Sequence, residues 1–339
     1  MSNKMNRRQF VRTTLAGTAA AGLALKGALG AEEQPFDPKD LPTRPFGKVG
    51  IRVPLLGFGT GGRWLSNQND EDALGLLEYA LDHGVFYWDT AGQYENDRIS
   101  SEERIGRLLP SRRKEVFLVS KVNERSADAT KASIERSLKR LRTDYIDLMH
   151  VHSIQSVSDA ESIGPALDVL RQYKEEGVIR HIGFTGHKTA AGMKRVAERH
   201  DDFEAMMIAL NHVEHLDWVG VDDEPFEEMA APYAAEQGLG VVAMKVIAPR
   251  MSSSEVSPED LLRYALSNSL FSLAVVSMNT MEQVKENLRI VRSFQPLSPE
   301  RLNEVRTSLE SFYRGERLAW MDPHYRDGVS SQLSSQGLA

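Results

Sequence analysis

From about residue 50 onward, apolar residues fall into two alternating patterns. Short, nearly unbroken apolar runs are separated by longer stretches whose apolar positions recur every three or four residues. The short runs are "VPLLGFG" (53–59), "VFYWDT" (85–90), "EVFLVSKV" (115–122) and "YIDLMHVH" (145–152). "IRHIGFT" (179–185), "AMMIALNHV" (205–213), "LGVVAMKVI" (239–247) and "FSLAVVSM" (271–278) continue the series. Such continuity predicts strands covered on both faces, as in a parallel sheet. The intervening "DEDALGLLEYALDHG" (70–84), "ASIERSLKRLR" (132–142), "PEDLLRYALSNS" (258–269) and "MEQVKENLRIVRSF" (281–294) predict helices. Eight strand–helix units predict an α/β fold, a (β/α)8 TIM barrel rather than an open sheet. Residues 298–315 predict an extra C-terminal helix, followed by an irregular tail containing "WMDPHYRDG" (320–328). The Pro- and Asp-rich "EEQPFDPKDLPTRPFG" (32–47) is a leader into the barrel. No linker divides the chain, so the expected organisation is one barrel over 31–295, with 296–339 a helix and tail of the same domain.

The first thirty residues follow another pattern. A basic start leads into a weakly apolar Ala/Gly/Leu stretch, and Ala28 and Gly30 place small residues before a cut preceding Ala31. Arg7-Arg8-Gln9-Phe10-Val11-Arg12 matches a bacterial twin-arginine signal. Residues 1–30 are therefore expected to be a signal peptide that engages the twin-arginine export machinery and delivers the protein to the periplasm or the extracellular space. The apolar stretch is too short and too rich in Gly and Thr for a stable membrane span. Removing its five Lys/Arg takes the formal charge from −7 to −12, which disfavours nucleic acid or an anionic membrane as a partner. The absence of cysteine excludes disulfides, iron–sulfur clusters, Cys-zinc sites and thiol nucleophiles.

"GFGTGG" (57–62) satisfies G-x-G-x-x-G after a strand, the dinucleotide fingerprint. That motif requires a helix opening at the glycines to face a pyrophosphate. Here "RWLSNQND" follows, polar and loop-like, which argues against the fingerprint.

Barrel enzymes place their chemistry at the C-terminal ends of the strands. There the second predicted strand ends in Asp89, the third in Lys121 and the fourth in His152, each on the alternate-residue face of its strand. Neighbouring strands lie about 5 Å apart, so Asp89 and Lys121 can pair. Tyr94, in the turn after the second strand, can fold over the same opening. These four suit carbonyl reduction. A hydride arriving at a carbonyl carbon needs a proton donor at the oxygen, and a phenol is a weak acid until a cation stabilises its phenolate. Lys121 supplies that cation, Asp89 fixes the lysine, and His152 orients the carbonyl.

The chain resembles the aldo-keto reductases over roughly residues 45–295. The matching stretches include "LGFGTGG" (56–62), "WDTAGQY" (88–94), "SEERIGRLL" (101–109), "LVSKV" (118–122), "DYIDLMHVH" (144–152), "IRHIGFTGH" (179–187), "LNHVE" (210–214) and "MEQVKENL" (281–288). The resemblance implies a barrel oxidoreductase that interconverts a carbonyl (aldehyde, ketone or sugar) and an alcohol with NADP or NAD. The family's catalytic Asp, Tyr, Lys and His fall on Asp89, Tyr94, Lys121 and His152. Its cofactor contacts fall on Gly59, Thr60, Asp89, Thr185, His187, Asn211, His212, Met244, Lys245, Ser277, Asn279, Thr280, Gln283 and Asn287. Trp64, Tyr94, His152 and Trp320 would line the substrate pocket, together with the loop "SIQSVSDAESIG" (153–164).

The departures concentrate on the cofactor. Thr185-Gly186 replaces the usual Ser-Asn, His212 replaces a Gln, and Met244 replaces the aromatic that stacks on the nicotinamide, with Lys245 next to it to meet the pyrophosphate. Asn279-Thr280 stands where NADPH-preferring relatives carry Arg or Lys against the 2′-phosphate, so NAD and NADP both remain open. "GFTGH" and "AMK" resemble a branch that often carries a C-terminal iron–sulfur segment, which a chain without cysteine cannot build.

Two other readings compete. One is a nucleotide-loaded binding or regulatory barrel with little turnover. The other is a metal-dependent barrel hydrolase using His150 and His152, with His187 and His212 on the next strand ends. Lys121 beside Asp89 would repel a cation, and Ser277-Met278 offers no carboxylate, so no metal is expected. His150 is then expected to be a hydrogen-bonded core histidine. A cofactor does not cross membranes unaided, so an exported enzyme is expected to carry its nucleotide without releasing it.

Overall fold

In the computed structural model the described residues are 36–210, 226–247 and 256–315. The predicted signal peptide therefore lies outside them, as do Asn211, His212 and Trp320. Eight parallel strands close into a barrel in chain order, the last pairing with the first, with helices between them. The strands are β3 (Leu56–Gly59), β4 (Tyr87–Asp89), β5 (Phe117–Val122), β6 (Ile146–Ile154), β7 (Ile179–Gly186), β8 (Ala205–Ala209), β9 (Gly240–Met244) and β10 (Leu273–Val276). Nearly all their residues are buried, because helices cover the outer face and side chains fill the inside. The fold is the (β/α)8 barrel that the alternating pattern predicts.

Several boundaries differ from the apolar runs. The run over 205–213 gives a strand that ends at Ala209, and residues 211–213 of that run lie outside the described residues. The first run splits in two: Arg52–Pro54 (β2) leaves the barrel and pairs antiparallel with Thr43–Pro45 (β1). The leader is therefore not featureless. After β1 it delivers Phe46 to the base of the barrel, where the ring meets Tyr87 and Phe117 edge-on, at 5.8 and 6.1 Å between centroids. Gly240 is required opposite it, since a Cβ there would lie 2.3 Å from the Phe46 ring.

Helix ends follow local chemistry. Asn69 caps helix Asp70–Asp82, accepting from the amides of Glu71 and Asp72, with three acids in the first turn. A capping box of Ser100 and Glu103 opens helix Ser101–Arg112, which the apolar periodicity does not mark because charges and Pro110 dilute it. A second box, Ser257 with Asp260, opens helix Pro258–Ser267. The extra helix, Pro299–Gly315, is held to it by Arg301 on Asp260 at 2.8 Å. After the "GFGTGG" glycines the chain forms a four-residue helix, Gly62–Leu65, rather than a loop. One turn, on a strand enclosed between β10 and β4, is not the long helix of a dinucleotide fingerprint. Residues 157–162, expected in a loop, form another short helix.

Candidate active site

Register places the site residues on adjacent strand ends. Asp89 pairs with Val119 across β4 and β5, and Lys121 with His150 across β5 and β6. Lys121 therefore extends past β4's last residue into the mouth of the barrel. Its Nζ lies 2.6 Å from Asp89 Oδ2, 2.7 Å from the Thr90 carbonyl and 3.4 Å from the Tyr94 hydroxyl. Both charges are almost fully buried, at 1% and 6% side-chain exposure, so the pair is screened little by water. The ammonium also sits 4.8 Å from the centre of the Tyr94 ring. The turn after β4 folds back as the sequence suggests, with the Tyr94 amide donating to the Ala91 carbonyl at 3.0 Å.

His152 lies one side-chain repeat above His150 on β6. Its ring meets Tyr94 edge-on at 6.1 Å and His187 edge-on at 6.2 Å, so three rings follow one another across the opening. The strand is irregular at this point. The β6–β7 register shifts between Val151 and Ile154, and Ser153 adopts φ 57°, a left-handed conformation strained for a residue with a Cβ. The Ser153 amide donates to Thr185 Oγ1 at 2.9 Å. Arg125, forked onto the Asp159 carboxylate at 2.8 and 3.0 Å, donates to the His152 carbonyl at 2.9 Å. The sequence reading missed these supports. Arg125 and Asp159 stand 34 residues apart with no shared motif, so only the fold brings them together.

His150 departs from its expected role. It is fully buried, but neither ring nitrogen has a hydrogen-bond partner among the described residues. Burial, and the charges of Lys121 and His152 behind it, hold its pKa well below the usual imidazole value, so it is neutral at physiological pH. Gly183 leaves it room, since a Cβ there would lie 2.4 Å from His150 Nδ1. Among the described residues no group of three or more His, Asp or Glu side chains is arranged to hold a metal ion.

One more expectation is corrected. The Trp64 indole does not line a pocket: it is fully buried, donates to the Ala73 carbonyl at 2.9 Å and carries the Arg104 guanidinium over its ring at 5.0 Å. The short helix after the glycines turns it inward. The Thr60 hydroxyl, also buried, donates to the Asp89 carbonyl at 2.9 Å and accepts from Ser101 Oγ at 2.8 Å.

The remaining predicted cofactor positions that lie among the described residues fit a nicotinamide dinucleotide in chemistry. Thr185 and His187 supply a hydroxyl and an imidazole at the end of β7, beside His152. Lys245 follows β9 in a left-handed conformation, φ 61°, strain of a kind that clusters at ligand sites, and Met244 before it is buried. Gly59 ends β3, and Ser277, just after β10, accepts from the Trp64 amide at 3.1 Å. Helix Met281–Arg292 presents its N-terminus, the end that favours a phosphate. Thr280 caps it and Gln283 accepts from the Asn279 amide at 2.9 Å, while Asn287 is buried on the same helix.

Known proteins resemble this chain in sequence and in fold. The model of the aldo/keto reductase family matches residues 55–260. The chain is 26% identical to L-galactose dehydrogenase of Arabidopsis thaliana, over 79% of this chain and 94% of that protein. It is 26% identical to D-threo-aldose 1-dehydrogenase of a Pseudomonas species, over 58% of this chain and 67% of that protein. Among solved structures, a candidate aldo-keto reductase from Pseudomonas aeruginosa superposes with a TM-score of 0.61 at 28% identity, covering 77% of this chain and 98% of that one. An aldo-keto reductase from Bacillus halodurans shares the fold, with a TM-score of 0.65 at 22% identity over 79% of this chain and 96% of its own. A match across more than half the chain, on a closed parallel barrel with these strand ends, means that the chain belongs to the aldo/keto reductase family and is an oxidoreductase.

Proposed function

We propose that the protein interconverts an aldose carbonyl or hemiacetal and its reduced or oxidised partner with NAD(P)(H), and that Tyr94 exchanges the proton. The observation that carries this reading is the Lys121 ammonium, held 2.6 Å from Asp89 Oδ2 and 3.4 Å from the Tyr94 hydroxyl in a buried setting. Asp89 and the Thr90 carbonyl fix the ammonium, and the ammonium stabilises the phenolate. In reduction Tyr94 donates its proton to the carbonyl oxygen; in oxidation its phenolate takes the alcohol proton. His152, edge-on to the phenol, orients the substrate oxygen. When bound, a nicotinamide supplies or accepts the hydride. Thr185 and His187 would hold its carboxamide end, Lys245 and the start of helix Met281–Arg292 its phosphates, and Gln283 and Asn287 its adenosine.

The names of the two dehydrogenase relatives support the aldose assignment. A panel of aldoses, small aldehydes and ketones, followed by nicotinamide absorbance, tests it. Turnover on aldoses is expected; a barrel that binds nucleotide tightly but turns over nothing would instead be the binding or regulatory form. Titrating both nucleotides by fluorescence tests selectivity. Asn279 and Thr280 are neutral, which forgoes a charge-assisted phosphate contact of about 1.5–3 kcal/mol, or roughly ten- to hundred-fold in affinity. NADP is expected to be favoured over NAD by less than about a hundred-fold; a larger preference means another cation grips the 2′-phosphate.

The Arg7-Arg8 signal supports a periplasmic location, reached by an export route that carries folded proteins, so the barrel would take up its nucleotide first. With association near 10⁶ M⁻¹s⁻¹, retention for hours needs a dissociation constant below about a nanomolar. Arg7→Lys with Arg8→Lys is expected to hold the precursor in the cytoplasm. Exported protein is expected to keep near-stoichiometric nucleotide through gel filtration; empty exported protein sinks the carried-cofactor idea.

A further inference from the structure

Three fully buried hydroxyls, those of Thr60, Thr90 and Ser101, are joined in one chain behind the site. Thr90 Oγ1 donates to Ser101 Oγ at 3.1 Å. Ser101 Oγ lies 2.8 Å from Thr60 Oγ1 and 2.8 Å from the Thr60 carbonyl. Thr60 Oγ1 donates to the Asp89 carbonyl at 2.9 Å, which also accepts the Thr60 amide at 2.9 Å. Each hydroxyl has one proton to give: Thr90 gives its proton to Ser101, Ser101 shares its own between Thr60 Oγ1 and the Thr60 carbonyl, and Thr60 gives its proton to the Asp89 carbonyl, so the bonds run in one direction and polarise one another.

Ser101 contributes a second group. Its amide donates to the Tyr94 carbonyl at 2.7 Å, tying the turn that carries the phenol. The Thr90 carbonyl accepts from Lys121 at 2.7 Å. One residue thus grips the ends of β3 and β4, the Tyr94 turn and, through Thr90, the lysine. The capping box of Ser100 and Glu103 fixes the start of its helix, so the grip stands on a rigid element. A helix start already capped by Ser100 does not need a serine at the next position.

We propose that Ser101 is a positioning residue: its hydroxyl holds the ends of β3 and β4 in place under the Tyr94 turn that its amide ties, and so sets the separation of the Tyr94 phenol from the Lys121 ammonium. This rests on the reading of Tyr94 as proton donor. Among the described residues, Lys121 and His152 meet the phenol and Asp89 holds the lysine, and a change at Ser101 removes none of them.

The test compares Ser101→Ala, Thr90→Val and Tyr94→Phe by thermal melting, nucleotide titration and the pH profile of kcat for reduction. Reduction needs the protonated phenol, so its rate falls as pH rises through the phenol's pKa. Losing the clamp weakens the hold of Lys121 on the phenolate, which moves that alkaline limb upward. Ser101→Ala is expected to lower kcat about 10–100-fold, to leave the nucleotide dissociation constant within about threefold, and to raise the limb by about half a pH unit or more. Thr90→Val, which removes one donor and keeps the shape, is expected to move it the same way by less. A folded Ser101→Ala protein with an unmoved limb overturns the proposal. Should Ser101→Ala not fold, an unmoved limb in Thr90→Val does so. If Tyr94→Phe remains active, the donor reading fails and the proposal falls with it; if Tyr94→Phe is dead and the limb stays fixed, only the role of Ser101 fails.

Discussion

Tyr94→Phe is expected to lower kcat for carbonyl reduction by about 10²–10⁴-fold, the range contributed by a positioned general acid. The fold should hardly notice. The ring keeps its edge contact with His152 and its place under the Lys121 ammonium. The lost hydroxyl is the most distant of the lysine's three partners, at 3.4 Å against 2.6 and 2.7 Å, so Lys121 remains satisfied by Asp89 and Thr90. Unfolding free energy is therefore expected within about 1 kcal/mol of the parent. Nucleotide affinity should stay within about threefold, because the phenol acts on the substrate oxygen. Steady-state kinetics with a fluorescence titration and a urea transition separate these effects. Retention of more than a tenth of kcat would remove Tyr94 from the proposed role, while a large drop in stability would make it a structural residue.

The barrel was legible because burial on both faces writes itself as unbroken apolar runs, and the helices between write themselves as three- and four-residue spacing. The hairpin of Thr43–Pro45 with Arg52–Pro54 was not, because three-residue strands with two prolines leave no period to read. Asp89, Lys121 and His152 could be found in the sequence because each is a charged or ionisable residue at the end of an apolar run, where burial alone has no use for it. Trp64 misled for the opposite reason. An aromatic near a strand end can face the mouth or the core, and the one-turn helix Gly62–Leu65 that decides it is too short to leave a pattern. The supports of the site were the least visible. Ser101 is one serine among two in "SEERIG" and its predecessor, the Arg125–Asp159 fork spans 34 residues, and the strained φ of Ser153 has no glycine to announce it. These are small polar residues whose meaning comes from what the fold sets beside them.

Lys121→Met should have the largest effect on stability as well as on rate. Asp89 and Lys121 are both buried, and removing one member of such a pair leaves the other charge uncompensated, at about 3–5 kcal/mol. The Thr90 carbonyl loses its donor too. Asp89 can escape only by taking a proton, so in this variant its folded-state pKa should lie above its unfolded value. The sign follows: a raised carboxyl contributes stability that is fully present below the unfolded pKa, near 4, and is lost as pH rises through the folded one. Lys121→Met is therefore expected to lie closest to the parent in urea midpoint at mildly acid pH and furthest from it above neutrality. Adding Asp89→Asn removes the stranded charge and should recover part of the lost stability at neutral pH. It should recover none of the rate, because no cation then stands by the phenolate. That split is the decisive measurement. Recovery of both would mean that Lys121 serves the fold alone. A single variant within about 1 kcal/mol of the parent at neutral pH would mean that the two charges are not held together in water as their 2.6 Å separation requires.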